Sequence, residues 1–186
     1  MSALRKHLTP EEFGALLYET VREAVVATRE LSMTRLLTGL ELQDGHLSEQ
    51  YEGAIIIACL FGATMALTRS TSAVIRLRIV EGLQEEFIRH LAEQGAHPEH
   101  CREWRRVVGA QFREYGQCSE GYEGDEPPWK LGRHFLWHLT GRRDHPAGSV
   151  RHAALYLLQA RDLAQQLINE HGPRLRLELP EENSGG

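Results

Sequence analysis

The sequence lacks the short motifs by which many enzymes are identified. It contains no G-x-G-x-x-G, no P-loop, no G-x-S-x-G and no H-E-x-x-H, so the local signatures of nucleotide binding, ester hydrolysis and zinc proteolysis are absent. Serine, histidine and aspartate all occur, but in no spacing that identifies a catalytic triad. Whether the protein is an enzyme is therefore left open, because an active site would need a metal ion or residues that only the fold brings together.

Cysteines and long hydrophobic runs are also few. The three cysteines, at positions 59, 101 and 118, are odd in number and lack C-x-x-C spacing, so no disulfide framework is expected. The longest apolar run, AIIIACLFGATMAL at 54–67, has 14 residues, whereas a membrane-spanning helix needs ~20. The first residues, MSALRKHLTPEEF, contain no apolar segment of the secretory type. We expect a cytoplasmic protein without a membrane span.

The chain has no excess of positive charge and no strand pattern. Its formal net charge is -5, and because phosphate binding depends on lysine and arginine, nucleic acid is not an expected partner. Hydrophobic residues make up 41% and charged residues 25% of the chain, which is close to a globular average and excludes a disordered protein. No stretch shows a convincing run of strands.

Six helical segments follow from the hydrophobic periodicity and from the residues that start and stop helices. The first begins at TPEE, where Thr9 is the predicted N-cap, Pro10 the first helical residue and Glu12 the partner in a capping box. The predicted helices cover about 9–37, 48–69, 72–94, 98–115, 128–140 and 149–171. The predicted fold class is therefore all-α. We expect one helical-bundle domain over 1–171 and an extended or disordered C-terminal tail over 172–186.

The segment 48–69 is apolar around nearly its whole circumference, which predicts the central buried helix of the bundle. Within it, Ala54, Ala58, Gly62 and Ala66 are spaced by four and form a stripe of small residues. Such a stripe lets another helix backbone approach closely. That backbone belongs either to the same molecule or to a second copy, and the second interpretation makes the protein a homodimer.

The chain contains ten histidines, and their positions on helical wheels suggest a metal site. His134 and His138 lie one turn apart, on the flank of the apolar face that includes Leu131. On the third predicted helix, Glu86 and His90 have the same arrangement. Facing helices could therefore supply three imidazoles and one carboxylate, a ligand set that suits Zn, Fe, Mn or Ni. In the alternative interpretation, the two histidines of the fifth helix cover the edge of the core and bind backbone or water.

Arg161 falls near the centre of the apolar stripe of the sixth predicted helix. A buried guanidinium needs a carboxylate or several carbonyl partners, because an unpaired buried charge is very costly. The residue therefore predicts a pocket for a small anionic ligand, an ion pair between helices, or an arginine that extends to solvent at the edge of a dimer. His152 lies on the polar face of the same helix, so we expect it to be solvated.

Because catalytic signatures are missing, the sequence favours a non-catalytic protein–protein interaction or assembly module. Its partner would be a second copy or an unidentified protein. The first alternative is a metal-dependent helical-bundle protein or enzyme that uses His134, His138, His90 and Glu86. The second is a small anionic-ligand-binding protein built around Arg161.

Overall fold

The computed structural model describes residues 8–27, 51–120 and 129–171, which form six α-helices and no strand. The all-α fold class is thereby confirmed. The helices are α1 (Pro10–Ala27), α2 (Tyr51–Met65), α3 (Ala73–Glu93), α4 (Pro98–Glu120), α5 (Trp129–Thr140) and α6 (Ala147–His171), and a 3₁₀ turn at Ala66–Arg69 continues α2. One core cluster of buried side chains draws on all six helices.

The predicted start signal of α1 is confirmed in atomic detail. The backbone N–H of Glu12 donates to Thr9 Oγ1 at 3.1 Å, and the backbone N–H of Thr9 donates to Glu12 Oε2 at 2.9 Å. This reciprocal pair satisfies two backbone donors that the first turn of a helix leaves without partners. The helix α3 begins in a similar way, because the side chain of Ser72 accepts from the backbone N–H of Ile75 at 3.4 Å.

The predicted bounds hold for α3, α5 and α6 to within about two residues, whereas α4 continues to Glu120 rather than ending near 115. Gly116 lies inside this helix, and one helical glycine costs only about 1 kcal/mol, which does not offset burial of the neighbouring Tyr115. The predicted continuation of the first helix over 28–37 and the predicted tail over 172–186 lie outside the described residues.

The helix α2 occupies the centre of the bundle, as its composition predicts. It packs against α1, α4, α5 and α6. Its fully buried side chains include those of Ile57, Leu60 and Ala63. Despite this apolar character, none of the helices in the described ranges is both long and apolar enough to cross a bilayer.

The stripe of small residues on α2 is used within the molecule. A Cβ atom on Gly62 would lie 2.6 Å from the backbone carbonyl oxygen of Leu157 in α6, a distance shorter than real Cβ contacts. The backbones of α2 and α6 therefore touch at this point. A similar contact joins α1 to α3, since a Cβ on Gly82 would lie 2.5 Å from the carbonyl oxygen of Glu11.

The inward face of α3 is rotated from the one that the sequence predicts. The helical periodicity of this segment predicts an inward face that includes Leu77. In the structure, Leu77 is 59% exposed, and the buried face runs through Ile75, Ile79 and Leu83. The cause is the close packing of α1 on α3 at Gly82. The same rotation buries Glu86, which the wheel placed on a flank.

We expect Gly62→Ala to lower the free energy of unfolding by about 1–3 kcal/mol, because the new methyl group overpacks the contact with Leu157. The matched control is Gly148→Ala, since a Cβ at Gly148 meets nothing within 4 Å and alanine favours helix. Urea denaturation followed by circular dichroism measures both. Equal stability of the two variants would contradict the backbone contact.

Candidate metal site

The helix α5 has a buried face and a half-buried flank. Leu131, Phe135, Leu136 and Leu139 are buried, and the helix packs against α2, α4 and α6. A Cβ on Gly132 would collide with the carbonyl oxygen of Val150, so the backbones of α5 and α6 are in contact. This contact fixes the rotation of α5 about its axis and places His134 and His138 at intermediate burial on the flank.

On that flank, a carboxylate from α4 joins the two imidazoles. Glu114, His134 and His138 each offer one ligand atom, and these three atoms lie within 4.8 Å of one another. The Nε2 atom of His138 is 3.1 Å from Glu114 Oε2, which is hydrogen-bond distance. We call these three residues the His–Glu cluster.

His134 is the least satisfied member of the cluster. Its Nδ1 atom is buried and has no hydrogen-bond partner among the described residues. A buried polar atom without a partner costs about 1–3 kcal/mol, and most such atoms in proteins have a partner. No backbone or side-chain group of the described residues serves as that partner.

Tyr115 forms the inner wall of the cluster. Its ring is fully buried, stacks on Phe61 of α2 with the ring centroids 5.0 Å apart, and contacts His138 at 5.8 Å and His134 at 6.4 Å. These contacts tie both imidazoles to the central helix. Rigid support of this kind holds ligand side chains in one orientation, as a metal site requires.

Burial sets the protonation state of His138. Removal of the ring from water lowers the pKa of His138 below its ordinary value of 6.5, although the carboxylate of Glu114 opposes the shift; a positive charge on His134 lowers it further. His138 is therefore neutral at pH 7. A neutral imidazole is the form that binds metal ions, because its nitrogen lone pair is free.

The donor set suits a divalent transition metal, and among the described residues it has fewer protein ligands than a closed structural site. Two imidazole nitrogens and one carboxylate oxygen are the protein ligands of catalytic zinc and of non-haem iron. Ligands bound at ~2.1 Å in a tetrahedron are about 3.4 Å apart, so small side-chain movements would bring atoms now within 4.8 Å to that spacing. Of the four positions of a tetrahedral ion, the described residues fill three.

The structure does not bring the four predicted metal ligands together. Glu86 accepts from Arg89 Nε at 3.0 Å within α3, and His90 Nε2 lies 3.0 Å from the side-chain amide of Gln94. The reason is the order of packing, because α3 packs mainly on α1, whereas α5 packs on α2, α4 and α6. The metal-ligand group found in the described residues takes its carboxylate from Glu114 and includes neither Glu86 nor His90.

Arg161 has its charge partner within its own helix. It is 40% exposed and pairs with its neighbour Asp162, with Nη2 and Oδ1 2.6 Å apart. The cavity beside it is lined by Ala160 and Leu163 but not by Arg161. The ion pair that Arg161 forms with a described residue is thus local to α6 and does not join two helices. His152 is exposed, as expected.

The place of Glu114 in the cluster follows from how α4 and α5 are connected, which wheel positions alone do not reveal. The helix α4 ends at Glu120 and α5 begins at Trp129. Consecutive helices joined by a short connection usually pack side by side in opposite directions, so equal distances from the connection bring residues to the same level. Glu114 lies six residues before Glu120, and His134 lies five residues after Trp129.

Comparisons of the chain with protein-family models, with curated proteins and with solved structures found no match. No relative therefore contributes a function, a ligand or a site residue. The candidate site consists of Glu114, His134 and His138, which the fold itself assembles.

In the presence of a chelator, we expect the free energy of unfolding to fall as the pH drops through 6.5. The folded pKa of His138 lies below its ordinary value of 6.5, so the unfolded chain takes up this proton first. Stability present above pH 6.5 is therefore lost as the pH falls towards the folded pKa.

Urea denaturation at a series of pH values measures this slope. His138→Gln should flatten it, whereas the matched variant His152→Gln, at an exposed position, should leave it unchanged. A slope that is the same in His138→Gln and in the wild type would show that another group causes it.

Proposed function

We propose that the protein binds one divalent transition-metal ion through His134, His138 and Glu114. The observation that carries the proposal is the convergence of two imidazoles from α5 and a carboxylate from α4, with their ligand atoms within 4.8 Å. Helical bundles build metal sites in this way, from inward side chains on neighbouring helices. The candidate ions remain Zn, Fe, Mn and Ni, which accept mixed nitrogen and oxygen ligands.

The state of His134 supports this function over a purely structural role. A hydrogen bond joins His138 Nε2 to Glu114 Oε2, but the buried Nδ1 of His134 has no partner among the described residues. Coordination of a metal ion at that nitrogen would satisfy it. The same ion would neutralise the carboxylate of Glu114, which is only 38% exposed.

The number of protein ligands that the described part of the chain supplies favours a reactive site. Structural zinc sites are usually closed by four protein ligands, whereas catalytic sites use three and leave a position open. A metal ion held by this cluster would act as a Lewis acid on a bound water or on a ligand oxygen. We therefore place the protein among metal-dependent helical-bundle proteins with an open coordination site.

We expect protein that is loaded with Zn²⁺ and then desalted to retain about one metal ion per chain by elemental analysis. His134→Ala and His138→Ala should each weaken binding by at least about 100-fold, since even supporting residues of metal sites contribute 10- to 100-fold. Glu114→Gln should weaken it too, because the amide carries no charge.

The matched controls are His90→Ala and His152→Ala, which remove histidines outside the cluster and should leave the metal content unchanged. Circular dichroism verifies that each variant folds. A folded wild-type protein without metal would overturn the proposal. Loss of metal in His90→Ala but not in His134→Ala would also overturn it.

Self-association is a second candidate function, and one observation favours it. Val74 and Leu77 lie one turn apart on α3, and they are 61% and 59% exposed. Adjacent apolar side chains at the surface are a common feature of protein interfaces. The partner would be a second copy of the chain or another protein. The stripe on α2 no longer supports a dimer, because Gly62 contacts α6 of the same molecule.

If this surface forms a homodimer, sedimentation equilibrium should give a mass that rises with concentration towards twice 21.1 kDa. The double variant Val74→Ser, Leu77→Ser should then be monomeric, since the substitutions remove the apolar area that association would bury. Leu155→Ser, at a residue of α6 that is 49% exposed, is the control. A monomeric wild type at high concentration would contradict self-association.

A further inference from the structure

A cavity opens directly beside the His–Glu cluster. It has a volume of about 210 Å³ and is lined by Arg133, His134, Trp137 and Arg143. His134 therefore belongs both to the cluster and to the cavity wall. A molecule in this cavity would lie next to any metal ion that the cluster holds.

The end of α5 positions the basic side chains of the cavity. Gly141, with a φ of +71°, ends the helix in the left-handed conformation, and the backbone N–H of Arg142 donates to Thr140 Oγ1 at 3.2 Å. The chain then turns back, so that the guanidinium carbon of Arg143 lies 4.8 Å from the centre of the Trp137 ring. Stacking on an indole ring restricts an arginine side chain and leaves its N–H groups available.

Both arginines are exposed and available to an external anion. Neither Arg133 nor Arg143 forms an ion pair with an acidic residue in the described part of the chain. Six other arginines there do so, namely Arg22, Arg78, Arg89, Arg102, Arg105 and Arg161. In a chain with a net charge of -5, two guanidinium groups beside one cavity, with no ion-pair partner among the described residues, mark a local site for negative charge.

We propose that this cavity binds a small anion with a carboxylate or phosphate group, held by Arg133 and Arg143 and directed towards the metal site at His134. The metal part of this inference rests on the proposed function. Guanidinium groups recognise both anions through paired N–H···O hydrogen bonds. The ring of Trp137 offers an apolar surface for the remainder of an organic anion.

The size of the cavity limits the ligand. Pockets for drug-sized molecules measure about 300–1,000 Å³, so about 210 Å³ admits only a small molecule. Inorganic phosphate and benzoate represent the two ligand chemistries. Phosphate tests recognition of the charged group alone, and benzoate adds a flat apolar body that can lie on an indole ring.

The experiment is isothermal titration calorimetry with inorganic phosphate and with benzoate. Each anion is titrated into zinc-loaded protein freed of excess metal, and into metal-free protein. We expect the zinc-loaded protein to bind at least one anion more tightly than the metal-free protein does. Arg133→Gln and Arg143→Gln should each weaken binding about tenfold, because each removes a charge-assisted hydrogen bond, while the zinc content stays at the wild-type level.

The control Arg151→Gln removes an exposed arginine of α6 outside the cavity lining and should leave anion binding unchanged. Binding of phosphate alone would assign a phosphate ligand, and binding of benzoate alone would assign an organic carboxylate. Zinc binding without anion binding, or anion binding unchanged in both cavity variants, would overturn the inference and leave the metal proposal intact. Anion binding that depends on the arginines in protein unable to hold zinc would support the cavity and overturn the metal proposal.

Discussion

The close approach of helix backbones at glycine residues is the constraint on which the rest of this bundle depends. Gly62 brings α2 against α6, and Gly132 brings α5 against α6. These helices have little freedom to rotate about their axes. Rotation would replace the glycine at the contact with a residue whose Cβ atom would collide with the backbone of the neighbouring helix. The buried face of α5 is thereby fixed. Its histidine flank must then lie beside α4 and the buried ring of Tyr115.

Features that depend only on residues close together in the chain could be predicted from the sequence. The capping box at Thr9 depends on residues three apart, and the central position of α2 follows from a segment that is apolar on all sides. The flank position of His134 and His138 also followed, since the apolar residues of α5 alone define it. In each case, the information lies within one helix, where periodicity of 3.6 residues applies.

Features that depend on which helices meet could not be predicted in this way. Glu86 and His90 have wheel positions as suitable as those of His134 and His138, but α3 packs mainly on α1 and carries them away from α5. Leu77 is exposed for a related reason, because the backbone contact with α1 at Gly82 decides which apolar residues of α3 face inward. Glu114 required knowledge of how α4 and α5 pair across their connection.

The charges at the His–Glu cluster and at the neighbouring cavity act in the same direction. Partial burial favours neutral histidine, which lowers the pKa of His138 and prepares its nitrogen for a metal ion. The positive charge of a bound divalent ion would exceed the single negative charge of Glu114, so the cluster would carry a net positive charge. Beside it lie Arg133 and Arg143, which carry positive charge without acidic partners in the described residues. Positive charge from the metal and from the guanidinium groups would add at the same cavity, and only an anion balances such a field at short range.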